Sequence, residues 1–170
     1  MKKFLIVVLA VAMLLPIFGC SEEEPEIVSP VTYFYRRSEI SFESETGIVA
    51  SEARESAGHE NDLTYLLNQY FDGPNDKALQ RTFPLGTQLI SISVSAQHTI
   101  ITVSGHLSSL KGIDLTIACA CITMTVMELT GTSKVEIKAD RALLNDAESI
   151  IMDLDTLLML DDSAMDPAQK

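Results

Sequence analysis

Phe83-Pro84-Leu85-Gly86-Thr87-Gln88-Leu89-Ile90-Ser91-Ile92-Ser93-Val94 is the stretch on which the fold turns. Its first five residues read as a turn, with Pro84 fixing φ and Gly86 supplying backbone freedom. Ile90, Ile92 and Val94 then alternate with Ser91, Ser93 and Ser95. That period of two predicts a half-buried strand with its apolar side chains on one face. Ala96-Gln97-His98 makes the next turn, and Ile101 and Val103 continue on a second strand. Together they predict an antiparallel hairpin.

Working outward, Val31-Thr32-Tyr33-Phe34-Tyr35 is rich in β-branched and aromatic residues and reads as a strand. Residues 36–56 are polar except for Ile48-Val49-Ala50, which suggests a weaker second strand in a hairpin around Glu45-Thr46-Gly47. A helix is expected over residues 59–72. Asn61 or Asp62 can cap it, Leu63, Leu66, Leu67, Tyr70 and Phe71 recur at helical spacing, and Gly73-Pro74 ends it. Residues 115–129 are ambiguous on local grounds. Thr123, Thr125 and Met127 alternate as on a strand, whereas the length, Asp114 as N-cap and Gly131 as C-cap favour a helix. On that helix Ile113, Ile117, Ala120, Cys121, Met124 and Glu128 would line one side. Lys134-Val135-Glu136-Ile137 is a short alternating strand. Residues 147–160 suggest a last helix carrying Ile150, Ile151, Leu154, Leu157 and Leu158 on one side, and residues 161–170 a frayed end. The order predicts an α+β fold: a small, mostly antiparallel sheet with two helices packed on one face.

The N-terminal region predicts a different fate. Lys2 and Lys3 precede an uncharged apolar run, Phe4 to Phe18, interrupted only by Pro16. The run is shorter than the ~20 residues that span a bilayer, and it ends in a small residue beside a cysteine, as a signal peptide does. Ile17-Phe18-Gly19-Cys20 resembles the lipobox of bacterial lipoproteins, with Phe18 an unusual occupant. The resemblance implies a signal peptide over residues 1–19 and lipidation of Cys20, the new N-terminus. A single acyl chain anchors only marginally, whereas two or more hold a protein at a membrane. Residues 21–30, SEEEPEIVSP, carry four glutamates and two prolines and suit a solvated tether. The expected location is the extracytoplasmic face of the cell membrane.

Charge narrows the partners. The chain has 170 residues and a formal net charge of −12, which repels nucleic acid and anionic lipid headgroups. Cys119 and Cys121 are spaced poorly for a disulfide and read as small buried residues. Neither they nor His59, His98 and His106 have partners at metal-ligand spacing, so no metal and no cofactor is expected. His98 is expected in a solvated turn. Ser104-Gly105-His106 lacks the Gly-x-Ser-x-Gly pattern of a nucleophile elbow. Asp153-x-Asp155 lacks the Gly and terminal Glu of a calcium loop and reads as a solvated helix face. No catalytic residue is expected.

The residues from Tyr33 to Ile137 resemble the GerMN domain family of sporulation and spore-germination lipoproteins in Gram-positive bacteria. The resemblance rests on the Thr32-Tyr33-Phe34-Tyr35 strand, the Leu66-Leu67 helix with Gly73-Pro74, and above all on Phe83-Pro84-Leu85-Gly86-Thr87 with its serine-alternating strand. Ala118 to Leu129 running into Thr130-Gly131 and Val135-Glu136-Ile137 completes it. It implies that residues 115–129 are a helix, and that the domain is a non-catalytic extracytoplasmic binding or assembly module, related in fold to ring-building domains of sporulation complexes. The polar residues 37–56 and the acidic, leucine-rich tail depart from the family pattern. The expected organisation is a signal peptide (1–19), lipidated Cys20 with an acidic linker (20–30), a GerMN-like domain (31–140) and a tail, helical in part (141–170). Expected partners are the membrane, through Cys20, and envelope proteins, which edge strands at residues 31–35 or 134–137 could engage. A cell-envelope hydrolase and a small solute-binding lipoprotein are the alternatives. A deep pocket with converging polar groups would favour the hydrolase, and the chain is short for the two-lobed closure of solute-binding proteins.

Overall fold

In the computed structural model, residues 30–39 and 47–158 are described. Strand β1 (Pro30–Arg37) pairs antiparallel with β2 (Val49–Glu55) and, at Arg36 and Arg37, with β3 (Leu79–Gln80). Helix α1 (Leu63–Phe71) lies between β2 and β3 in the chain. Asp62 caps α1, its carboxylate accepting the Tyr65 N–H at 3.0 Å. Strands β4 (Leu89–Val94), β5 (His98–Val103), β6 (Lys134–Ala139) and β7 (Ile150–Asp153) form a second sheet in that order. A 3-10 turn (Gly105–Ser109) and helix α2 (Gly112–Thr130) connect β5 to β6, and a short helix α3 (Leu154–Leu158) follows β7.

The α+β class expected from the sequence holds, and the strands divide into two sheets rather than one. The first, β2-β1-β3, ends at the two-residue β3, after which the Pro84–Gly86 turn carries the chain away. The second contains one parallel pair, β5 with β6, for which α2 is the crossover that parallel neighbours require. Helix α2 packs on β1 of the first sheet and on β6 and β7 of the second. Ten of its 19 residues are buried, including the consecutive run from Ile117 to Thr123. A helix enclosed on most sides shows little amphipathic periodicity, which is why strand and helix competed in the local pattern. It is also long and apolar enough to cross a bilayer by length and composition, but its burial between sheets makes it a core helix.

Four local expectations are corrected. First, β4 does not alternate cleanly. Leu89 pairs with Val103 and Ser91 with Thr102, so Ile90 is the extra residue of a β-bulge. Leu89 and Ile92 therefore pack on the core, while Ile90 and Val94 are 52% and 45% exposed. Second, residues 150–153 are a strand, not part of a helix. They pair antiparallel with residues 134–137 and bury Met152, because β6 offers an open edge that β-branched Ile150 and Ile151 suit. Third, Lys111 occupies the N-cap of α2 without a side-chain bond, and Asp114 sits in the first turn, where it meets Arg36 at 3.2 Å. Gly131 closes the helix as expected, in the left-handed conformation at φ 68°. Fourth, residues 134–137 are not an edge, because β6 lies between β5 and β7, whereas residues 31–35 pair with β2 alone: β3 meets β1 only at Arg36 and Arg37, and Thr125 of α2 accepts the Phe34 N–H at 3.0 Å.

The core against β1 is aromatic. Tyr35 and Tyr70 stack at 5.0 Å, and Tyr70, Phe71 and Phe83 meet edge to face. The buried hydroxyls find backbone acceptors, Tyr33 donating to Leu66 O and Tyr35 to Tyr70 O. Arg54 is buried with them. Its guanidinium pairs with Glu52 at 2.6 Å and donates to Tyr35 Oη and to the Gln69 and Gly73 carbonyls, while Glu52 also accepts the N–H groups of Asn75 and Asp76. The core against the second sheet is aliphatic: Ile101, Val103, Val135 and Ile137 with Leu107 and Met152.

Candidate functional site

An apolar cleft of about 510 Å³ lies alongside the C-terminal half of α2. Ala120, Met124 and Glu128 line it at four-residue spacing, a consequence of the 3.6-residue turn that stacks i and i+4 on one face. Met127 widens that face. Phe34 of β1, Ile48 and Val49 at the start of β2, and Leu154 and Leu157 of α3 form the opposite walls. The cleft therefore exists because α2 bridges two sheets that do not join each other.

One end of the cleft is fastened by hydroxyls. Thr130 donates to Val126 O at 2.6 Å, and Thr132 lies 2.9 Å from Thr130 and 3.0 Å from Thr99 on β5. This triad ties the end of α2 to the second sheet and consumes the polar capacity of buried Thr132. The lining that remains is aliphatic, aromatic and thioether, with exposed Glu128 as its titratable group. Two methionines on one wall give an adaptable surface, because the unbranched thioether refits to different shapes. Such a cleft can take up apolar side chains by burial. Among the described residues it presents no converging polar groups.

Residues 31–144, the span that builds β1 through the turn after β6, match the Germane family, described as "Sporulation and spore germination". The chain belongs to the Germane family. The resemblance to GerMN domains read between Tyr33 and Ile137 is thereby borne out, and the family span closes before β7. No curated protein matches the chain. Among solved structures, one described as "Putative Lipoprotein from Clostridium perfringens" is 16% identical with a TM-score of 0.48, covering 77% of this chain and 92% of that one. The tandem GerMN domains of the sporulation protein GerM from Bacillus subtilis are 16% identical with a TM-score of 0.47, covering 65% of this chain and 38% of that one.

The Germane domain distributes its chemistry-bearing residues rather than gathering them. Cys119 and Cys121 are free and fully buried on α2, as expected, and burial pushes both thiols up to about 12. A thiol held protonated is neither a nucleophile nor a metal ligand. His59 stacks on Tyr65 at 4.0 Å. His98 is in β5, not in a turn, with Nε2 3.6 Å from the Glu136 carboxylate. Glu136 also meets Lys138 at 3.1 Å, and that bond holds its carboxyl below the ordinary range. His106 Nδ1 lies 3.1 Å from Ser104 Oγ. The same hydroxyl accepts the Gln88 N–H and donates to Gly86 O, so the pair fastens the 86–88 turn to the end of β5. Asp153 caps α3, accepting the Thr156 N–H at 3.0 Å and its hydroxyl at 2.8 Å, which accounts for half of the Asp153-x-Asp155 pattern. No group of three metal-ligating side chains occurs among the described residues.

The cleft was only half legible beforehand. The sequence puts Ala120, Met124 and Glu128 on one side of the helix, but it does not show what that side faces. The available signal was the pair Met124 and Met127 flanked by a charge, unusual for a packed interior. Cys20, the signal peptide and the linker up to residue 29 lie outside the described residues, while Pro30, counted with the linker, opens β1.

Proposed function

We propose that this protein is a lipid-anchored, extracytoplasmic Germane module that binds a protein partner of the cell envelope during sporulation or germination, without catalysing a reaction. Its apolar cleft receives apolar side chains of that partner. The observation that carries the reading is the lining of the cleft: Phe34, Val49, Met124, Met127 and Leu157 with Glu128 at the rim. Burial of apolar area drives such association at roughly 25 cal/mol per Å². The sequence supports the location, because Lys2-Lys3, the apolar run and Ile17-Phe18-Gly19-Cys20 follow the order of a lipoprotein signal. In this reading residues 1–19 are removed, Cys20 carries the acyl chains, residues 21–30 are the tether, and the domain begins at residue 31.

Two measurements test the proposal. A photo-crosslinking side chain at position 124 in the full-length chain should yield a discrete protein adduct in membranes of sporulating or germinating cells. The adduct should be lost when Ala120→Phe fills the cleft. An adduct that survives Ala120→Phe unchanged would sink the assignment to the cleft. For the anchor, Cys20→Ala should release the domain from membranes or leave an uncleaved precursor. Normal cleavage with full membrane retention would contradict lipidation.

A further inference from the structure

The apolar cleft reaches the C-terminal end of α2, where Glu128, Gly131 and Thr132 line it. Glu128 is the one charged residue of the described lining. It is exposed, and among the described residues it has no hydrogen bond and no ion pair. Met124 and Thr132 stand four residues to either side, so no base supports it along the helix.

The helix end is itself negative. Peptide dipoles add along the 19 residues of α2 and leave a partial negative charge at its last turn, where a lysine, arginine or histidine is ordinarily favourable. That turn holds no basic residue and carries Glu128 instead. The N–H groups that follow are used locally. Gly131 donates to Met127 O at 2.8 Å, and Thr132 donates to Thr130 Oγ1 at 3.4 Å. Neither reaches the carbonyls of residues 128–130, which point out of the helix end. Lys134, the next base along the chain, stands opposite Asp153 in the β6–β7 register.

We propose that the partner segment seated in this cleft carries a lysine or arginine beside its apolar residues. The cation docks on Glu128 and the last-turn carbonyls of α2, and the apolar residues pack on Met124, Met127 and Leu157. This rests on the reading that the cleft receives a protein partner, and it adds the chemistry by which that partner is chosen. A cation at this place offsets two like-signed charges at once, the carboxylate and the helix end. The net charge of −12 draws a basic segment toward the domain and repels an acidic one. The same sign argues against the chain's own residues 159–170 as the occupant, since they hold Asp161, Asp162 and Asp166 against Lys170.

The test uses the full-length chain in membranes, with the photo-crosslinking side chain at position 124. The partner peptide in the adduct, mapped by mass spectrometry, should hold a lysine or arginine within about four residues of the linked position, roughly one helical turn. Glu128→Gln should lower the adduct yield about threefold and Glu128→Lys about tenfold, while Glu128→Asp stays within about twofold. A synthetic copy of the mapped segment is then titrated against the purified full-length chain in neutral detergent. Replacing its base with glutamine should cost about three- to tenfold in affinity, but less than about twofold against the Glu128→Gln chain. Glu128 is exposed, so these variants leave the core untouched. An adduct lost with Ala120→Phe but indifferent to Glu128→Lys, a linked segment without a base, or equal losses against both chains would overturn the charge assignment and leave the cleft reading standing. An adduct indifferent to Ala120→Phe, or none at all, would overturn both.

Discussion

The two sheets that flank α2 are stabilised in different ways. Around β1 the core is built from Tyr33, Tyr35, Tyr70, Phe71 and Phe83, and its polar atoms are matched one by one to carbonyls, to Gln69 and to the buried Arg54–Glu52 pair. Around β5 and β6 the core is Ile101, Val103, Val135 and Ile137, with no polar atom to satisfy on those side chains. The first half depends on exact partners and the second on area. Losing one partner in the first leaves a buried group stranded, whereas losing a methyl in the second leaves a small void.

The largest effect that would test this contrast is Arg54→Ala. It leaves Glu52 buried beside an empty space, and breaking such a pair costs about 3–5 kcal/mol. Urea denaturation should show that loss, and a cost under about 1 kcal/mol would mean that the pair is not integral to the first half. Next, Tyr35→Phe removes a donor to Tyr70 O and an acceptor for Arg54, and should cost about 2 kcal/mol. Ile137→Val in the second half should cost about 1 kcal/mol. The reverse order would invert the comparison.

A pH dependence sharpens the comparison from another side. Burial raises Cys119 and Cys121 from 9.0 to about 12 and Tyr33 from 10.0 to about 12. The unfolded chain therefore releases these protons first. Stability from these groups is complete below about pH 9 and declines as pH rises towards 12. Between pH 9 and 10 the cysteines dominate the slope, so replacing both with alanine should flatten it there and leave the tyrosine contribution above pH 10. A slope unchanged by that replacement would place the loss elsewhere.

Legibility followed the same division. The second sheet was readable at β5 and β6 because Ile101, Val103, Val135 and Ile137 alternate. The first helix was readable because Leu66, Leu67, Tyr70 and Phe71 recur on one face, with Asp62 before them. Helix α2 was placed by its length and Gly131, but its faces were not, because residues on nearly all sides meet a sheet. The bulge at Ile90 carries no local signature, so serine alternation predicted the wrong phase for Leu89 and Ile90. β7 was misread because Ile150 and Ile151 fit a helical stripe, and the deciding fact, the open edge of β6, belongs to another part of the chain. The apolar cleft shares that difficulty: Phe34, Met124 and Leu157 are brought together by tertiary packing alone.

The bulge at Ile90 has a consequence for how these molecules keep company. β4 is an outer strand of a sheet, and an outer strand that is straight and flat offers its unpaired amides and carbonyls to any neighbour. The extra residue bends the first third of β4 and breaks the regular spacing of those groups, so a second copy can match only the short remainder from Ser91 to Val94. Copies crowded together would thus find little to extend along β4, one of the two outer strands of that sheet.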